Sequence, residues 1–111
     1  MAMDSEKTEA VDGTDVVVLN ENLVRSTHRI GPINQQRIVR TLTAPNLGGR
    51  SILAVHVQPR GGNENNNEAF AVRVTVIVNT APLRANVLIA RADTAAGWAV
   101  DLYLDVLWVT S

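Results

Sequence analysis

Residues 98–108 read WAVDLYLDVLW, and their strict alternation decides the fold class. Trp98, Val100, Leu102, Leu104, Val106 and Trp108 fall on one side, with Asp101, Tyr103 and Asp105 on the other. A period of two is that of a β-strand with one buried and one accessible face. Two further stretches repeat it. In residues 51–58, Leu53, Val55 and Val57 oppose Ala54, His56 and Gln58. In residues 70–78, Phe70, Val72, Val74, Val76 and Val78 oppose Arg73 and Thr75.

Outward from these strands the signals are shorter. Residues 15–19 and 23–30 read as strands joined by an Asn20-Glu21-Asn22 turn, and Gly31-Pro32 breaks the chain. Residues 34–43 fit either a helical stripe or an alternation. Ile38-Val39 and two threonines favour strand. Residues 83–92 are apolar and fit a strand or a short helix. Residues 59–68, PRGGNENNNE, are too polar to be buried and read as the tip of a hairpin joining the two long strands. Residues 93–97 read as a turn. Because the chain ends at Ser111, directly after the last strand, that strand is expected to be locked inside the sheet.

The 111 residues make one domain, and no cysteine is present, so disulfides and thiolate chemistry are excluded. No apolar run approaches the roughly 18 residues of a membrane span. The polar, acidic start does not resemble a secretory signal, so the expected location is the cytoplasm or a virion. Residues 1–14 lack apolar periodicity and read as a disordered acidic arm, leaving residues 15–111 as a single β-rich domain. Charge divides the same way. Residues 1–15 carry five acids against Lys7, a net −4. The remainder carries nine arginines against six acids, a net +3. Arginine suits bidentate phosphate contacts and stacking on bases, although a GC-rich genome gives the same bias.

No catalytic motif stands out. His28 and His56 have no metal-ligand spacing, the Asn-rich tip matches no calcium loop, and no cofactor is expected. Ser26, Thr27 and Ser51 have no base nearby in sequence. Asp101, Tyr103 and Asp105 share a strand face, as paired carboxylates must for acid–base work, and as any solvated face would. His56, Gln58, Arg73, Thr75 and Tyr103 share one accessible face if the two long strands pair as a hairpin and the last strand is their neighbour. Such a face could contact single-stranded RNA through phosphate pairing, stacking and base-edge hydrogen bonds.

The segments ILAVHVQPRGGNENNNEAFAVRVTVIVN and WAVDLYLDVLWVTS resemble the central sheet of single-stranded RNA phage coat proteins. The resemblance implies a dimer that assembles into a shell, and a sheet face bearing His56, Gln58, Arg73, Thr75 and Tyr103 that binds an RNA hairpin. The family's last strand is followed by two helices, and no such helices follow it here.

The fold expected is mainly β: one domain of six to seven antiparallel strands, as a sandwich or as a sheet completed by or packed on a partner subunit. The function expected is that of a self-assembling, coat-like structural protein. Its partners are further copies of itself, joined first as a homodimer, and single-stranded RNA, with no membrane. The alternatives are a small curved-sheet or barrel enzyme or ligand binder, of isomerase or cyclase type, using Asp101, Tyr103 and Asp105, and an accessory domain that binds another protein through an edge strand.

Overall fold

A computed structural model describes residues 9–61, 70–91 and 101–111. Among these the chain forms eight strands and no helix: β1 (Glu9–Val11), β2 (Thr14–Asn20), β3 (Leu23–Arg29), β4 (Arg37–Thr43), β5 (Ile52–Gly61), β6 (Phe70–Val78), β7 (Arg84–Arg91) and β8 (Leu102–Thr110). They make two four-stranded sheets, ordered β1-β4-β7-β6 and β2-β3-β8-β5. All pairings are antiparallel except the short parallel match of β1 to β4. Both ambiguous segments resolve as strands, at Arg37–Thr43 and Arg84–Arg91, and pair with each other.

β8 shows how the sequence pattern becomes structure. It lies between β3 and β5, an interior strand as expected. Leu102, Leu104, Val106 and Trp108 have no exposed surface, while Tyr103, Asp105, Leu107 and Val109 are half-buried on the opposite face. In the other sheet, Ile38, Leu42, Ala85, Val87 and Ile89 are buried in the same way. The two sets join in one core, so the sheets pack face to face as a sandwich. Each fully buried Leu, Ile or Val contributes about 1.5–3 kcal/mol to this packing. Asn79 ties the layers at one corner: its Oδ1 accepts the Ile52 N–H at 2.7 Å, and its Nδ2 donates to the Ile52 carbonyl at 3.0 Å.

Several expectations are corrected. β5 and β6 do not form a hairpin. β5 pairs with β8 in one sheet and β6 with β7 in the other. The long connection lets the chain cross between layers where a short turn would have forced pairing. Leu53 does not share the inner face with Val55 and Val57. An irregularity between Ile52 and Ala54 turns Ile52 inward and leaves Leu53 64% exposed. Val76 and Val78 likewise leave the inner face of β6, because a bulge between Val74 and Val76 sets them opposite Asn86 and Arg84. The arm expected through residue 14 is already strand at Glu9–Val11, and β2 starts at Thr14. The expected tip at residues 59–68 begins as strand, since Pro59, Arg60 and Gly61 belong to β5; its residues 62–68, Trp98, Val100 and the 93–97 turn lie outside the described residues.

Candidate functional site

Register places the expected RNA-contacting residues on two different surfaces. On the outer face of β3-β8-β5, the cross-strand rows run Arg25–Leu107–His56, Thr27–Asp105–Gln58 and Arg29–Tyr103–Arg60. His56, Gln58 and Tyr103 therefore do come together. Arg73 and Thr75 do not join them: both lie on β6, in the other sheet. The expectation that all five share one face fails with the hairpin on which it rested.

The positive charge on the first face is largely committed. Arg29 grips Asp101 with two hydrogen bonds, from Nε at 3.2 Å and Nη2 at 2.9 Å. Arg60 grips Asp105 in the same manner, at 3.0 and 3.3 Å, and its guanidinium lies 5.0 Å over the Tyr103 ring. Thr27 Oγ1 also donates to Asp105 at 3.1 Å. These bonds, Arg60 foremost, hold the Asp105 carboxyl below the usual carboxylate range. Asp101, Tyr103 and Asp105 do share a face, but Asp105 is held ionised, opposite to the raised pKa that a general acid needs. Between Arg25, His56 and Gln58 lies an open concavity of about 310 Å³ floored by Leu107.

The outer face of β4-β7-β6 has a different character. Its rows are Arg37–Ala90–Ala71, Val39–Leu88–Arg73, Thr41–Asn86–Val76 and Thr43–Arg84–Val78. Arg37, Arg73 and Arg84 thus share a face with small and apolar side chains, and β4, β6 and β7 contain no carboxylate. Arg84 Nη1 donates to the Pro82 carbonyl at 2.7 Å, so a backbone contact positions it without cancelling its charge. The alternation of Arg37, Val39 and Thr41 was the sequence signal for this face. The alternation alone does not encode the face, because Arg73 reaches it only through the pairing of β6 with β7.

A third grouping is internal. Ser26 and His28, two apart on β3, both point into the core with no exposed surface. Ser26 Oγ lies 2.7 Å from His28 Nε2 and accepts the Trp108 Nε1–H at 2.8 Å. The geometry is that of a hydroxyl beside its base. Trp108 covers the hydroxyl, however, so no substrate can reach it. Ser26 has its base after all, and period two on β3 would have shown it. Among the described residues no cluster of three His, Asp or Glu side chains offers a metal site.

Compared with protein-family models, curated proteins and solved structures, the chain matches none.

Proposed function

We propose that this protein is a self-assembling, coat-like structural protein whose copies join through strand β2. The observation that carries the proposal is the state of that strand. β2 is a sheet edge, all seven of its residues are exposed, and it carries Val16, Val17, Val18 and Leu19 in succession. An exposed apolar edge is costly in a solitary protein and is ordinarily covered, charged or paired. Among the described residues β1 leaves the inner side of β2 uncovered, since Val18, opposite the buried Val24, remains 66% exposed. The occupant we favour is a second copy. An antiparallel two-fold pairing centred on Val17 sets Val16 against Val18, the self-matching geometry that a C2 dimer requires. Irregularities on either side of Val17–Val18 limit any regular ladder to that centre. Burial of apolar side chains therefore supplies most of the stability.

The second part of the proposal is that the arginine face of β4-β7-β6 contacts the phosphates of single-stranded RNA. Among the described residues it has Arg37, Arg73 and Arg84 without a carboxylate, whereas Asp101 and Asp105 engage Arg29 and Arg60 on the opposite surface. It also lacks aromatic side chains, which fits backbone contact rather than base stacking.

Sedimentation velocity of the purified protein, followed at 260 and 280 nm, tests both parts. Particles far larger than a dimer, absorbing strongly at 260 nm, are the expected result. A monomer that carries no nucleic acid would overturn the proposal.

A further inference from the structure

His28 is bonded in one direction only. The Val11 carbonyl, 3.0 Å from Nδ1, can only accept, so Nδ1 carries the ring proton. Nε2 is then the acceptor for the Ser26 hydroxyl, and Ser26 Oγ accepts from Trp108. Donation thus runs from Trp108 to Ser26 to His28 to Val11, from the core of one sheet to the edge strand of the other. Gly13 seals the ring. A Cβ there would lie 2.9 Å from Ser26 Cβ and 3.0 Å from His28 Nε2.

A second proton has no place in this chain. On Nε2 it would make the Ser26 oxygen accept from His28 as well as from Trp108, and the hydroxyl's own hydrogen would lose its acceptor. The new charge would also be cut off from water. Among the groups around the ring, Asp12 at the β1–β2 corner is the carboxylate that favours the charged form. β8 presents Leu104 and Trp108, and β2 presents Thr14, whose hydroxyl donates to the Thr27 carbonyl. Arg40 has the inner-face register of β4 but lies beside Pro32, Ile33, Asn34 and Gln35 and donates to the Val39 carbonyl. Burial outweighs the Val11 carbonyl and Asp12 together and lowers the pKa of His28 below the ordinary histidine value.

The covering pieces differ in strength. β3 and β8 are interior strands, each with two ladder partners. Among the described residues β1 has three residues, one partner and an edge position. We propose that His28 is an acid-sensitive latch: its protonation releases β1 and the Asp12-Gly13 corner while the two sheets stay packed. Release admits water to Nε2 and bares the β4 edge at residues 40–42, the register partners of β1. The latch is independent of the assembly proposed above.

Hydrogen exchange read by mass spectrometry on the full chain at pH 7.5 and 5.0, corrected for intrinsic rates, tests it. One proton taken up on opening changes the opening equilibrium about tenfold per pH unit. Exchange at residues 9–13 is therefore expected to rise roughly ten- to thirtyfold at pH 5.0, while the β8 amides keep their protection. His28→Gln, which can donate to Val11 and accept from Ser26 without titrating, is expected to abolish the rise. NMR of the wild-type imidazole gives a second reading that needs no variant: an Nδ1–H tautomer at pH 7.5, and a His28 titration that coincides with the loss of protection at residues 9–13. An Nε2–H tautomer, unchanged exchange at residues 9–13 once His28 has titrated, or loss of β1 and β8 together would each overturn the latch. A pH response that persists in a folded His28→Gln variant would do the same.

Discussion

His28 and Thr110 show two opposite fates of a buried polar side chain. His28 is fully bonded, and its cost appears only on protonation. Its pKa is lowered on folding, so the unfolded chain binds the proton more tightly. The contribution of neutral His28 to stability is complete above the ordinary histidine range near pH 6.5 and declines as pH falls through it. Asp105 acts over a lower window. Its pKa is also lowered, so its contribution holds above the usual carboxylate range and fades toward the acid side of it. With its side chain 34% exposed, that contribution is about 1 kcal/mol or less. Thr110 is 3% exposed, and its Oγ1 has no hydrogen-bond partner among the described residues. Replacing it with the near-isosteric valine removes an unsatisfied group, so Thr110→Val should raise stability by about 1 kcal/mol in urea unfolding. A clear loss would show that the hydroxyl is bonded in solution. At this scale the sequence was only partly legible. Period two puts Ser26 and His28 on one face of β3, but that Trp108 closes over them depends on the pairing of β3 with β8, which residue spacing does not encode.

The elements were easier to read than their connections. All the strands expected from alternation are present where the chain is described, because the side-chain period is a local property. Pairing is not local. β5 and β6 both alternate and are adjacent in sequence, yet each finds its partners elsewhere. The irregularities between Ile52 and Ala54 and between Val74 and Val76 shift parity by one residue, a change that leaves no mark on composition. β2 was legible as a strand but not as an edge, and its edge position gives it its proposed role. Val18→Lys places a charge on the exposed edge without disturbing a buried side chain. It is expected to leave the far-ultraviolet dichroism unchanged and to separate the copies. Loss of the β signal in this variant would instead assign Val18 to the protomer's own packing.

For the whole molecule, the separation of charge between the two outer faces matters more than the net −1 of the sequence. The total was readable from composition. The pairing of Arg29 and Arg60 with aspartates was not, because the partners of Arg29 and Arg60 lie 72 and 45 residues away. The arginine face of β4-β7-β6 makes a specific prediction. Arg73→Ala should weaken single-stranded RNA binding by a similar factor across unrelated sequences, and should lower the slope of log K against log salt by about 0.7. Sequence-selective loss would point to base contact, and no change would remove RNA from the account. Arg73 was among the residues expected to touch RNA. His56, Gln58 and Tyr103 are placed by the same topology on the surface where Asp101 and Asp105 hold the arginines.

Self-assembly through β2 is the central claim, and the molar mass of the wild-type protein and of Val18→Lys, measured side by side by light scattering after size exclusion, tests it most directly. The account predicts large assemblies for the wild type and a folded monomer near the 12.0 kDa of the chain for the variant. Equal masses for the two proteins, whether both assembled or both monomeric, would contradict it.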